Sequence, residues 1–261
     1  MSRIESRFRD LRRAHRTGLV TYVTAGDPDL DRSGEILLTL DRAGADVLEV
    51  GIPFSDPLAD GPVIQRATER AIRSGATLPR VLDLVESLRA RIAAPIVIFT
   101  YANPVLKLGL EAFVNRARAA GVDGVLTLDV PPEESEQFRE ALTREGIDTI
   151  FLLSPTTSLE RIRRAAALGS GFLYGISRVG VTGMRDSVAE SARVLAARVR
   201  GETSMPLALG FGLSTPEHVR EIAQCADAAV VGSALVNVIA EHGRSPALLN
   251  EVDRYVRWLR S

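Results

Sequence analysis

The chain has 261 residues, 33 of them acidic and 32 basic, for a net charge of −1. The length fits one (β/α)8 barrel, typically about 250 residues, so a single domain over residues 1–261 is expected. Near-neutrality argues against a nucleic-acid binder, and the one cysteine, Cys225, excludes an intrachain disulfide.

The N-terminal stretch Met1 to Thr17 is charged throughout and lacks the apolar core of a signal peptide. Glu5 and Asp10 stand among its arginines, so a capping helix is predicted rather than a transit peptide. No apolar run approaches the roughly 18 residues that span a bilayer, and a cytoplasmic location is expected.

Short apolar runs then alternate with helical patterns. Strands are predicted over Leu19 to Thr24, Ala45 to Val50, Pro95 to Tyr101 and Val122 to Leu128. Four more are predicted over Thr149 to Leu153, Gly171 to Ile176, Pro206 to Gly210 and Asp227 to Val231. Helices are predicted between them at Asp31 to Ala43, Val63 to Arg73, Leu78 to Arg91, Leu110 to Ala120, Glu133 to Glu145, Leu159 to Leu168 and Pro216 to Cys225. Gly44, Gly121, Gly146 and Gly169 follow four of these as stop signals. Eight strands with helical crossovers imply a parallel sheet closed on itself, an α/β TIM barrel with extra helices between the second and third strands. An open dinucleotide-binding sheet would want G-x-G-x-x-G after its first strand, where this chain has Thr24-Ala25-Gly26-Asp27-Pro28.

The most informative stretch is Leu48 to Gln65, LEVGIPFSDPLADGPVIQ. Glu49 interrupts a short apolar strand. A carboxylate in apolar surroundings resists ionisation, so its proton becomes usable near neutral pH. Pro53 and Pro57 stiffen the loop that follows. Asp60-Gly61-Pro62 then reads as a helix start, with Asp60 as N-cap. One carboxyl that holds a proton and one that stays ionised are thus expected in one site.

Barrel enzymes build their sites from the loops after the strands and often bind phosphate after strands seven and eight. The sixth loop carries Ser177-Arg178-Val179-Gly180-Val181-Thr182-Gly183, the seventh Gly210-Phe211-Gly212-Leu213-Ser214, and the eighth Gly232-Ser233-Ala234, which opens a short helix to Ala240. Glycine backbone and a free helix N-terminus suit a phosphate, so Gly183, Gly212, Gly232 and Ser233 are the candidate phosphate residues. The Gly180 to Asp186 stretch is expected to act as a lid bringing Thr182 and Gly183 over a substrate. Tyr22, Phe99, Tyr101, Leu126, Leu153, Tyr174 and Phe211 lie on or near strand ends, where they would serve an apolar pocket or simply the barrel core.

Leu48 to Gln65 closely resembles the signature of the tryptophan synthase alpha-subunit family, the indole-glycerol-phosphate lyases. The resemblance continues through Tyr101-Ala102-Asn103-Pro104, Asp129-Val130-Pro131-Pro132-Glu133-Glu134, Ser154-Pro155-Thr156-Thr157 and the glycine-containing loops above. Ser154 and Ala228 are small departures. It implies a retro-aldol cleavage of indole-3-glycerol phosphate with Glu49 as general acid/base. Asp60 would stabilise the charge developing on the ring nitrogen and accept its proton. It also implies an indole pocket among Tyr22, Phe99, Leu126 and especially Tyr101, Tyr174 and Phe211, with Thr182 over the substrate. A beta subunit carrying pyridoxal phosphate is implied as partner in an alpha2-beta2 heterotetramer, facing the loops of Pro53, Asp56, Pro57 and Asp129. This chain would need no cofactor of its own.

The residues themselves narrow the chemistry. Lys107 is the only lysine and lies past Asn103-Pro104, away from any strand end, so it suits a Schiff base poorly. His15, His218 and His242 are scattered and predict no metal site. Acid/base catalysis by Glu49 and Asp60 remains. The alternatives are a self-sufficient lyase that releases free indole and a non-catalytic barrel that only regulates a partner; retention of both carboxyls disfavours the second.

Overall fold

The computed structural model describes residues 1–176, 186–210 and 212–261. In chain order these form α1 (Arg3–Arg13), β1 (Gly18–Thr24), α2 (Leu30–Ala43), β2 (Val47–Gly51), α3 (Pro62–Arg73), α4 (Leu78–Leu88), β3 (Ile96–Thr100), α5 (Ala102–Leu108), α6 (Leu110–Ala119) and β4 (Gly124–Thr127). There follow α7 (Glu136–Arg144), β5 (Asp148–Ile150), β6 (Leu152–Leu153), α8 (Leu159–Leu168), β7 (Leu173–Ile176), α9 (Asp186–Glu202), β8 (Leu207–Gly210), α10 (Pro216–Ala223), β9 (Ala228–Val231), α11 (Ser233–His242) and α12 (Leu248–Leu259).

All strand pairs are parallel, in the order β5-β4-β3-β2-β1-β9-β8-β7-β6. The two ends of that order, β5 and β6, are consecutive in the chain and separated only by Phe151. The Phe151 carbonyl accepts from the Tyr174 amide of β7 at 3.0 Å. One predicted strand is therefore broken at Phe151, its first half paired to β4 and its second to β7. That break closes eight staves into a barrel.

Alternation divides the apolar residues into two sets. One face of each strand packs outward against the helices; Val23, Leu48, Val50, Ile96 and Ile98 join Leu37, Val81 and Val85 in the larger cluster. The other face fills the barrel, where Val20, Val47, Val97, Leu126, Ile150 and Phe172 meet. Ile4, Phe8 and Leu11 of α1 enter that inner cluster, with Phe8 tilted on Phe172 at 5.4 Å between ring centres. The expected capping helix is thus the floor of the barrel. It starts at a capping box, Ser2 accepting from the Glu5 amide while Glu5 accepts from that of Ser2.

The N-terminal rim carries a four-fold device. Asp46 donates its amide to the Leu19 carbonyl at 2.7 Å and accepts from the Leu19 amide through its carboxylate at 2.9 Å. Asp123 does the same with Ile96 (2.9 and 2.8 Å) and Asp227 with Leu207 (2.9 and 2.7 Å). Ser170 does it with Thr149 through its hydroxyl (2.9 and 3.0 Å). Each pair ties one stave to the next at the point where the first would leave an orphan amide.

The structure differs from the sequence-based expectations where local patterns give way to tertiary demands. The predicted helix at Glu133 is a short 3-10 turn, Pro132–Glu134, before α7. Leu78 to Arg91 ends at Leu88 and tightens into a 3-10 turn over Arg89–Arg91. Gly44 closes α2 in the left-handed conformation at φ 99°. Among the described residues no helix is long and apolar enough to cross a membrane.

Candidate functional site

Glu49 is the central residue of β2, in register with Tyr22 on β1 and Val97 on β3. Its side chain is fully buried. Among the described residues neither carboxylate oxygen has a hydrogen-bond partner. Burial pushes its pKa up to about 8, and the nearby Tyr174 hydroxyl pulls it down only in part, without reaching hydrogen-bonding geometry. The group is a protonated acid at neutral pH.

Asp60 reaches the same region from the loop after β2. The prediction that it caps α3 is corrected here. The N-cap is Gly61, which makes no side-chain cap, and Pro62 takes the first helical position. Asp60 lies one residue too early to reach the free amides of the first turn. Its carboxylate instead accepts from the Tyr101 hydroxyl at 3.1 Å, and that same oxygen of Tyr101 accepts from the Ala59 amide at 3.1 Å. Burial raises the Asp60 pKa to about 6, against the lowering pull of Tyr101. With that value it is mostly ionised at neutral pH, whereas Glu49 is mostly protonated. Gln65 braces the loop, donating to the Asp60 carbonyl at 2.9 Å.

A cavity of about 150 Å³ opens at the C-terminal ends of the strands. Asp60, Tyr22, Phe99 and Tyr174 line it. Tyr22 stands edge-on to Phe99 at 5.1 Å, and Phe99 lies 6.5 Å from Tyr174, so the three rings form a continuous aromatic wall. Gly51 makes this possible, since a Cβ there would lie 2.2 Å from the Tyr22 hydroxyl. Burial raises the pKa values of Tyr22, Tyr101 and Tyr174, keeping all three hydroxyls protonated.

Gly212, Gly232 and Ser233 line the cavity as well. Among the described residues, the amides of Gly212, Leu213, Gly232 and Ser233 have no acceptor. Ser233 opens α11, so its N–H also carries the positive end of the helix dipole. Free amides, glycine backbone and a helix start thus meet at this cavity, an arrangement suited to an anion.

Not every expected residue lines this cavity. Glu49 is buried behind the lining, next to Tyr22 and Tyr174, Leu126 is buried in the inner barrel cluster, and Tyr101 acts on Asp60 without lining the space. Ile64, Gly210, Leu213 and Val230 line it without having been singled out. Ile64 and Val230 carry only the signal of a core residue, so nothing local marks them. Thr182, Gly183, Phe211 and the lid expected at Gly180 to Asp186 lie in or extend into segments outside the described residues. In the neighbouring loops Asp56 and Asp129 are exposed, Pro57 is half-buried and Pro53 is buried. Asp129 accepts from the Ala102 amide at 2.7 Å and so fixes the segment that carries Tyr101. Among the described residues no cluster of His, Cys, Asp and Glu could hold a metal ion.

A parallel barrel whose cavity opens at the C-terminal ends of its strands is the layout of the (β/α)8-barrel enzymes, and this chain is one of them. The family model for the tryptophan synthase alpha chain matches residues 8–257. The tryptophan synthase alpha chain of Geotalea uraniireducens is 49% identical over 241 residues, covering 92% of this chain and 90% of its own length. Tryptophan synthase subunit alpha of Legionella pneumophila superposes with a TM-score of 0.90 at 35% identity, covering 100% of this chain and 97% of its own. A ligand-free tryptophan synthase structure from M. tuberculosis does so with a TM-score of 0.90 at 34% identity, covering 99% of this chain and 98% of its own. The chain belongs to the tryptophan synthase alpha-chain family, lyases of tryptophan biosynthesis.

Proposed function

We propose that Glu49 and Asp60 cleave indole-3-glycerol phosphate to indole and glyceraldehyde 3-phosphate. One observation carries the assignment: Glu49 is a fully buried carboxyl, without a hydrogen-bond partner among the described residues, next to Tyr22 and Tyr174 of the wall of a cavity that Asp60 lines. Structural needs rarely leave an acid so placed. Glu49 protonates C3 of the indole ring. Asp60, ionised, faces the ring N–H and stabilises the positive charge that develops there. The Glu49 carboxylate then takes the proton of the glycerol hydroxyl as the carbon–carbon bond breaks. That step yields the aldehyde, restores the indole ring and returns Glu49 to its protonated form.

The wall of Tyr22, Phe99 and Tyr174 receives the indole, and the amides of Gly212, Gly232 and Ser233 take the phosphate of the glycerol arm. Gripping the remote phosphate orients the reacting bond. Every step uses carboxyl groups of this chain, so the lyase needs no cofactor of its own. Thr182 and Gly183 complete the grip by their resemblance to the family pattern.

The partner in this reading is a beta subunit, which carries the pyridoxal phosphate of an alpha2-beta2 assembly and consumes the indole. Leu58 and Leu106 leave large apolar side chains in solvent beside the exposed Asp56 and Asp129, a mixed surface suited to docking. Docking there would order the loop that holds Asp60, so partner and substrate binding should reinforce each other by about 5–150-fold. A cytoplasmic location fits this role. The test is indole release from indole-3-glycerol phosphate, with and without a beta subunit. No indole under either condition overturns the proposal; full activity alone with no binding to the partner favours the self-sufficient lyase.

A further inference from the structure

We infer that His218 and Tyr255 are positioning residues for the phosphate grip, acting through the backbone of Ser214; this rests on the phosphate reading above. The loop after β8 runs from Gly210 to the start of α10 at Pro216. Gly212 and Leu213 of it line the cavity, and their amides have no acceptor among the described residues. Such a segment has no ladder of its own to fix the direction of its N–H groups, and Gly212 sits at φ 68° with nothing within 4 Å of where a Cβ would be.

What fixes it is the next residue. The Ser214 amide donates to His218 Nδ1 at 3.2 Å, and the Ser214 carbonyl accepts from the Tyr255 hydroxyl at 3.0 Å. Ser214 is thereby held at both its backbone polar groups by side chains from two different helices, α10 and α12. His218 is itself set in place by the Thr215 cap, whose hydroxyl accepts from the His218 amide at 3.4 Å. Tyr255 is half-buried and leans on Trp258 at 5.8 Å, and burial pushes its pKa up to about 12, so it stays a donor.

Two consequences follow from this clamp. The Ser214 amide is spent on His218, so only the amides before it are free for an anion. With Ser214 fixed, the Gly212 and Leu213 amides meet the cavity pre-aimed, and a phosphate need not order them on binding. His218 accepts at Nδ1, which requires that nitrogen to be unprotonated; an imidazolium would leave the Ser214 amide without its partner.

The experiment uses Tyr255→Phe, which removes one oxygen and keeps the ring against Trp258, and His218→Leu, which removes the acceptor. His218→Asn is the rescue, because its amide oxygen takes the place of Nδ1. Dissociation constants for glycerol 3-phosphate and for indole are measured by calorimetry on the whole chain, with KM and kcat for indole release. Loss of one hydrogen bond predicts about fivefold weaker glycerol 3-phosphate binding in Tyr255→Phe and in His218→Leu. KM should rise by a similar factor, with indole affinity and kcat within about twofold of wild type and His218→Asn near wild type. Unchanged glycerol 3-phosphate affinity in Tyr255→Phe overturns the inference, and that variant alone decides should His218→Leu not fold. Equal weakening of indole and glycerol 3-phosphate overturns it too, since the clamp would then serve stability only. A wild-type chain that binds indole but no glycerol 3-phosphate overturns the phosphate reading itself, and the inference falls with it.

Discussion

Asp46 immediately precedes β2 and Glu49, three residues on, is the centre of that strand, and both are buried. Asp46 accepts from Arg16 at 2.6 and 3.0 Å and from the Leu19 amide, with Arg7 and Arg260 at 3.6 and 3.7 Å. Glu49 has neither cation nor hydrogen-bond donor among the described residues. The N-terminal rim repeats the first pattern, with Asp123 against Arg89 at 3.2 Å and Asp227 against Arg12 at 2.9 Å and Arg200. Carboxylates there lie against arginines and join strand to strand. Around Glu49 such partners are withheld among the described residues, which costs stability and favours the protonated form. The same residue chemistry is thus divided between holding the barrel and working in it by the groups that surround it.

The sharpest way to break that contrast is Glu49→Gln. The amide keeps the shape but exchanges no proton, so indole release should fall by about 10²–10⁴-fold in a folded protein. The folded-state pKa of Glu49 lies near about 8 and its ordinary value at 4.5. Between those values the native chain holds a proton that the unfolded chain has released. The wild type therefore loses stability as pH rises through that window, and the variant does not. Urea midpoints at about pH 5 and about pH 8 should diverge in favour of the variant; a constant gap would mean that Glu49 has a partner.

Asp60→Asn should lower turnover by about tenfold or more, because the charge facing the ring nitrogen is lost. For the wild type, kcat/KM should rise with pH through about 6 as Asp60 ionises and fall beyond about 8 as Glu49 loses its proton. Only the rising limb should vanish in Asp60→Asn. A wild-type profile that stays flat across both values would sink the two-carboxyl reading.

The N-terminal rim should respond in the opposite way. Asp46→Asn should cost about 2–3 kcal/mol of stability by leaving arginines facing a lost charge, with turnover per folded molecule unchanged. A drop in turnover without a drop in the denaturation midpoint would erase the distinction between the two carboxyls. The smallest effect is expected from Tyr101→Phe, about fivefold or less in turnover. Its hydroxyl lowers the Asp60 pKa, so the rising limb of the pH profile should move upward when it is removed. An unmoved limb would show that Tyr101 does not govern Asp60.

Much of this was legible in the chain itself. Hydrophobic alternation and glycine stops located the eight strand regions, because each stave needs a continuous apolar run whatever its neighbours. Glu49 was conspicuous for the same reason, as a charge in a run that otherwise excludes one. Asp60 reads locally as a helix cap, since D-G-P is a helix start, whereas the Tyr101 hydroxyl that claims its carboxylate comes 41 residues later. The break at Phe151, the ring of Asp46, Asp123, Ser170 and Asp227, and the double hold on Ser214 have no local signature at all. They arise when closure brings distant strands and helices to within hydrogen-bonding reach, and periodicity within one segment cannot encode which polar groups then meet. The sequence determined the strands, the helices and the carboxyl buried among them; the tertiary structure alone decided which carboxyls are paired and which, among the described residues, is not.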